Sequence, residues 1–184
     1  MDGLVIRSGK TTTVKKLTES EIRARAKRIT LVLTDVDGVL TDTGVYYSAN
    51  GEELKRFSIR DGMGMNLLRE QGIETAMMTR EDSPRVAARS KQLGLPYYFA
   101  GIMDKRASLP EMLEKTNRQI HELAYIGDDV NDVGIMEEIA RAGLTACPGD
   151  AMPAAKKVAH YSAKVPGGHG AFRDFAEWIL KHRK

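Results

Sequence analysis

Short apolar runs of strand length alternate with helix-length segments along most of this 184-residue chain, and that alternation restricts the fold more than any other feature. Strands at residues 29–33, 73–79, 97–100, 123–127, 144–146 and 160–163 are separated by segments with helical signals. Such an order implies βαβ crossovers, which bury a parallel sheet between two layers of helices. The expected class is therefore α/β, a Rossmann-like doubly wound parallel sheet. Glycine and proline punctuate it: Gly72 closes a helix over 61–70, with Met63, Leu67 and Leu68 expected on its buried side, and Ser83-Pro84 opens a helix that stops at Gly94. Further helices are expected near 105–115, 132–141, from Asp150, and over 172–182. Between residues 44 and 57, two alternating polar and apolar runs flank Asn50-Gly51, which suits a type I′ turn and a projecting β-hairpin.

Ligands of open parallel sheets bind beyond the carboxyl ends of the strands. Asp35 and Asp37 stand at the end of the first strand, Thr79 at the end of the second, Lys105 after the third, and Asp128, Asp129 and Asp132 after the fourth. Four separated stretches thus converge on one place. Asp35 and Asp37 are two residues apart, so an extended backbone sends both side chains the same way, and Gly38 lets the chain turn after them. Asp128 and Asp132 are one helical turn apart. So many carboxylates stay ionised together only beside a counter-charge, and oxygen ligands without a His or Cys cluster suit Mg²⁺.

Taken in order, Asp35-Val-Asp-Gly-Val-Leu-Thr-Asp42, Thr79, Lys105 and Gly127-Asp-Asp-Val-Asn-Asp132 resemble the four motifs of haloacid dehalogenase (HAD) phosphatases, from about residue 29 to the C-terminus. The resemblance implies that Asp35 is nucleophile and metal ligand, and that Asp37 is general acid/base and ligates Mg²⁺ through its carbonyl. It makes Asp128 the remaining ligand, places Asp129 and Asp132 behind the metal ligands, and gives Thr79 and Lys105 the phosphoryl oxygens. Members with large caps carry them between the first three motifs, where this chain has room only for the hairpin, two helices and a strand. A capless enzyme is expected. Gly51-Glu-Glu-Leu-Lys-Arg-Phe57, Arg60-Asp-Gly-Met-Gly64 and Gly167-Gly-His-Gly-Ala171 resemble the 3-deoxy-D-manno-octulosonate 8-phosphate (KDO 8-phosphate) phosphatases of lipopolysaccharide synthesis. Those are homotetramers whose hairpins and tails complete neighbouring sites. Arg60 would face the substrate carboxylate, which a guanidinium fork matches, and His169 would be a substrate-binding residue. Where that family usually has Thr-Gly-Arg this chain has Thr79-Arg80-Glu81, and where it usually has a tail Arg this chain has His169.

Two relatives define the alternatives. Phosphatases of 2-keto-3-deoxynononate 9-phosphate share the plan, as do oligomerisation domains of sialic acid cytidylyltransferases, which tend to lose the motif carboxylates kept here. A phospho-acceptor receiver domain also gathers acids, Thr and Lys around an aspartate, but has no use for Asp37.

Charge argues against a nucleic-acid partner. Residues 1–28, read as a basic extension with a short helix begun by the Thr18/Glu21 capping box, carry eight basic and three acidic side chains, so the remainder, residues 29–184, is net negative within a chain of +3. Cys147 is the only cysteine, which excludes an intrachain disulfide and fits a reducing, cytoplasmic setting. No signal-peptide core or membrane-spanning run is apparent.

Overall fold

The computed structural model describes residues 13–184, so the first twelve residues of the predicted basic extension lie outside the described part. Six parallel strands form one sheet in the order β5-β4-β1-β6-β7-β8: β1 Leu31–Thr34, β4 Glu74–Met78, β5 Tyr97–Phe99, β6 Leu123–Ile126, β7 Leu144–Cys147 and β8 Tyr161–Ser162. The chain steps outward from β1 through β4 to β5, then returns to β1's other side with β6. That reversal opens a crevice at the carboxyl ends of β1 and β6. The α/β expectation is met.

Both sheet faces are buried, so β1 reads as a continuous apolar run and its successive side chains enter different cores. Val32 joins a cluster with Met65 and Leu68 of α2 (Ile59–Glu70) and Phe172, Phe175 and Ile179 of α7 (Ala171–Arg183). Leu31 and Leu33 join the opposite cluster with Leu109 and Met112 of α4 (Leu109–Thr116) and Ile135, Met136 and Ile139 of α5 (Val130–Ala140). Helix α1 (Glu19–Ala26) starts at the predicted capping box, and Leu17 and Ala26 contribute to the α7-side cluster. Arg25 donates from its guanidinium to the carbonyls of Ala140 and Gly143 at 2.7 and 2.8 Å, closing the end of α5. The remaining helices are α3 (Pro84–Gln92) and α6 (Pro153–Lys157).

Several predicted details shift, each for a local reason. Helix α2 begins at Ile59, because Ser58 accepts the Arg60 N–H as its cap. Met63 is exposed rather than buried, and Met65, two positions on, packs in the core instead. Helix α4 starts at Leu109, four residues after Lys105, since a helix begun earlier would bury Pro110 where an N–H is needed. Asp129 caps α5, which starts at Val130, two residues before the expected start, and α6 waits for Pro153. Asp150 instead accepts the Gly167 N–H at 2.9 Å, tethering the C-terminal loop.

The hairpin pairs β2 (Tyr46–Ser48) with β3 (Gly51–Leu54). Its turn is not the type I′ turn expected on Asn50-Gly51. Ser48 pairs with Gly51, so Ala49 and Asn50 are the turning residues, and only Gly51 takes a positive φ, 105°. Asn50 has no need of the left-handed region there.

Between Asp37 and Thr79 the described chain holds the hairpin, α2 and β4; between Thr79 and Lys105 it holds α3 and β5. No cap domain interrupts it.

Candidate active site

At the carboxyl ends of β1, β4 and β6 a cleft of about 510 Å³ is lined by Asp35, Asp37, Thr79, Asp128, Asp129 and Asn131, with Arg80, Glu81, Met103, Thr43 and Val45 towards its mouth. Five of the predicted site residues therefore share one cavity. Beneath them lie Lys105 and Asp132, both buried.

The floor is a tightly bonded electrostatic assembly. Lys105 Nζ lies 2.9 Å from Asp35 Oδ2 and 2.6 Å from Asp132 Oδ1. Asp132 Oδ1 also accepts the Tyr125 hydroxyl at 2.7 Å, and its Oδ2 accepts the backbone N–H groups of Asp128 at 2.9 Å and Asp129 at 3.4 Å. With two donors on each oxygen, Asp132 is committed to fixing Lys105 and the loop after β6. Asp35 Oδ1 accepts the Val36 N–H at 2.7 Å. Oxygens of Asp35, Asp128 and Asp132 lie within 4.8 Å of one another.

One ammonium cannot balance three carboxylates. Burial and the charge of Asp132 hold the Asp35 carboxyl well above the usual range despite Lys105. Burial, with Asp132 and Asp129, raises Asp128 to about 7. Burial alone would depress Lys105, but Asp35 and Asp132 outweigh it and hold the ammonium above its ordinary value. The deficit of two positive charges, among oxygen ligands only, is what a hard dication fills, and the lone pairs left for it belong to Asp35 and Asp128.

Glycines permit this closeness. Gly38 sits at φ 87°, and a Cβ there would fall 2.0 Å from the Asp128 carboxylate. At Gly127 a Cβ would lie 2.4 Å from the Asp132 carboxyl carbon. A side chain at either position would have to displace a carboxylate of the site.

Thr79 is buried, its N–H donating to Phe99 O and its hydroxyl accepting the Glu81 N–H at 3.2 Å. The Asp37 carboxylate stands apart from the three-acid cluster, and its Oδ1 accepts from Lys55 Nζ at 2.7 Å. Lys55 also reaches Glu81 Oε2 at 2.6 Å. Burial would lower this lysine, but its hydrogen bonds to Asp37 and Glu81 prevail and raise it.

Arg60 and His169 are not brought to the cleft lining. Arg60 is exposed on the first turn of α2, and His169 is exposed with Nδ1 2.7 Å from Gly167 O. Sequence reasoning passed over Lys55, Asn131 and Tyr125. Tyr125, a polar tip inside the run Leu123–Ile126, was a signal available in the sequence, whereas nothing distinguished Lys55 from its neighbour Arg56. Asn131 lay inside a motif already noted, and its amide comes within 3.5 Å of Asp35 Oδ2.

No family model matches the chain. The 3-deoxy-D-manno-octulosonate 8-phosphate phosphatase KdsC of Haemophilus influenzae is 34% identical over 160 residues, 87% of each chain, and that of Escherichia coli K12 is 35% identical over 161 residues, 88% of this chain and 84% of the relative. The chain belongs to the KdsC phosphatase family. It is thus a phosphatase of the HAD superfamily. A solved structure of the KdsC-type enzyme from Moraxella catarrhalis, in complex with magnesium ion, phosphate ion and KDO, superposes with a TM-score of 0.82 at 35% identity, covering 89% of this chain and 92% of that one. A cobalt-bound Haemophilus influenzae structure gives 0.81 at 33% identity, covering 86% and 91%.

Proposed function

We propose that this phosphatase hydrolyses KDO 8-phosphate, with Mg²⁺ held by Asp35, Asp128 and the main-chain carbonyl of Asp37. The observation that carries the reading is the three-carboxylate floor balanced by Lys105 alone, on a chain whose relatives act on that substrate by name. When bound, the cation would offset the charge of Asp35 and of the phosphate and so let the two approach.

The residues then have distinct tasks. Asp35 attacks phosphorus, forming an aspartyl phosphate as the bond from phosphorus to the sugar oxygen breaks. Asp37 gives its proton to that leaving oxygen, then takes one from the water that attacks the aspartyl phosphate, which frees phosphate and restores Asp35. Thr79 and Lys105 hold phosphoryl oxygens in place, where placement and charge supply most of the acceleration. Asp132 and Asp129 keep Lys105 and the loop after β6 fixed.

An open cleft leaves the rest of the substrate uncovered. Val45, Tyr46, Tyr47 and Leu54 of the hairpin region and Ile59 and Met63 of α2 are exposed apolar side chains on one stretch of chain, which supports a homotetramer whose hairpins cover adjacent clefts. Arg60 and His169, absent from their own chain's cleft, would serve a neighbour's substrate in the same way. No helix among the described residues is long and apolar enough to cross a membrane. A cytoplasmic sugar-acid phosphate, in lipopolysaccharide synthesis, fits this setting.

The test is kcat/KM on KDO 8-phosphate, 2-keto-3-deoxynononate 9-phosphate and neutral sugar phosphates. KDO 8-phosphate should lead the neutral sugar phosphates by about tenfold or more, the scale of a lost guanidinium–carboxylate contact. Preference for the nine-carbon substrate would move the assignment to that alternative, and equal rates on neutral sugars would remove the carboxylate from recognition. No phosphate release from any substrate would favour the vestigial oligomerisation domain.

A further inference from the structure

Lys55 is half-buried beside the cleft mouth, bonded to two residues that line it, and the chemistry above leaves its task open. It closes the second arm of the hairpin, one residue beyond β3, yet its side chain is only 1% exposed, between Asp37 at 36% and Glu81 at 51%. A lysine held in one geometry loses much of its side-chain entropy, and a surface ion pair seldom offsets that loss. This one is held by short contacts to carboxylates from two other segments: 2.7 Å to Asp37, in the loop after β1, and 2.6 Å to Glu81, in the loop after β4. The hairpin is thereby fastened to both loops.

The contact to Asp37 is selective for one oxygen. Lys55 Nζ donates to Oδ1, and the Thr41 hydroxyl approaches the same oxygen at 3.5 Å. A carboxylate tethered through one oxygen is restricted in its rotation about χ2, so the other oxygen is presented over a narrower range of directions. A narrower range helps such a group to meet a leaving oxygen at hydrogen-bond distance.

We infer that Lys55 is a positioning residue for Asp37: it anchors Oδ1, with Glu81 as its second anchor, so that Oδ2 carries the proton to and from the reacting oxygens. This rests on the reading of Asp37 as general acid/base. Lys55 touches neither the phosphoryl group nor the sugar in this role, and Glu81 acts one step further back, by keeping the ammonium in place. The Glu81 that departs from the family's usual arginine is, in this chain, the partner that lets the hairpin lysine do so.

A split by leaving group tests it. An alkyl phosphate such as KDO 8-phosphate departs as a poorly stabilised alkoxide and needs Asp37's proton, whereas p-nitrophenyl phosphate releases a stable phenolate and hardly does. Lys55→Met keeps the stem's volume. It should lower kcat on KDO 8-phosphate by about 10–100-fold, part of the range of acid/base catalysis, with KM little changed and the loss on p-nitrophenyl phosphate several times smaller. Lys55→Arg, which can still bridge two carboxylates, should recover most of the alkyl rate, and Glu81→Gln should cost the alkyl rate less than Lys55→Met. Equal losses on both substrates, or an arginine variant no better than the methionine one, would reduce Lys55 to a structural tie and overturn the inference. A Lys55→Met enzyme with unchanged kcat on KDO 8-phosphate would do the same. A wild-type enzyme that hydrolyses neither ester would sink the phosphatase chemistry itself, and this role with it.

Discussion

The floor and the rim of the cleft hold the same kinds of groups, carboxylates and lysines, under different conditions. On the floor, Lys105 and Asp132 are fully buried and their partners come from the ends of neighbouring strands, so their positions follow from the sheet itself. At the rim, Asp37 and Glu81 remain partly exposed and Lys55 arrives from a hairpin that pairs with no other strand of the sheet. Errors on the floor are felt by both fold and chemistry, because a lone buried charge has no solvent to turn to. Errors at the rim should alter rate or assembly while the domain stands. The geometry of the floor is thus set by the sheet, whereas that of the rim depends on where the hairpin lies.

The largest effect should come from the floor. Asp35→Asn is expected to lower kcat on KDO 8-phosphate by more than about 10⁴-fold, the scale of losing a nucleophile, with circular dichroism unchanged and unfolding still cooperative. Appreciable turnover by the variant would remove Asp35 from the nucleophile's role. Lys105→Met should lose activity too, but with a second signature. It strands Asp35 and Asp132 without their cation, and denaturant titration should show a loss of about 3–5 kcal/mol. A variant as stable as wild type would mean that the floor is less dry than its burial implies.

A third effect lies behind the rim and depends on pH. Asp61 Oδ1 accepts the Arg173 N–H at 3.0 Å at the start of α7, while Oδ2 is buried without a hydrogen-bond partner. Burial outweighs the backbone amides of α7 and raises this carboxyl from 3.8 to about 6. Between those values the folded protein binds a proton that the unfolded chain has released. The group's contribution is therefore full below about pH 4 and is lost as pH rises through 6, amounting to about 3 kcal/mol for a shift of this size. Asp61→Asn keeps the Oδ1 acceptor and cannot ionise. Its stability relative to wild type should rise by that amount from pH 4 to pH 8, a difference in which the contributions of Asp35 and Asp128 cancel. A gap that does not change with pH would show that Asp61 is solvated in the folded state.

The smallest effect on the fold should come from the hairpin. Replacing Tyr46 and Tyr47 with Ser should change the unfolding free energy of the subunit by about 0.5 kcal/mol or less, as for other exposed sites, while shifting the mass measured by light scattering from that of the proposed tetramer towards smaller species. An unchanged tetramer would place the interface elsewhere.

The same contrast governs what could be read from the sequence. The strand-end acids were legible because each stands where a crossover fold must place it, and the two glycines beside them, Gly38 and Gly127, mark the close approaches. The helix starts were misjudged where a proline or a cap decided, as at Pro110 and Asp129. Lys55 was hidden for a different reason. No periodicity encodes where a hairpin leans, so its contacts with Asp37 and Glu81 exist only in three dimensions. Arg60 and His169 pose the complementary case: family resemblance nominates them for substrate contact, yet neither is among the residues that line the cleft of their own chain.

The most direct measurement is a crystal structure grown with Mg²⁺. The expected result is an ion at about 2.1 Å from oxygens of Asp35 and Asp128, with Asp132 still bonded to Lys105 and Tyr125. Carboxylates of Asp35 and Asp128 turned away from each other, with no ion between them at saturating magnesium, would contradict it.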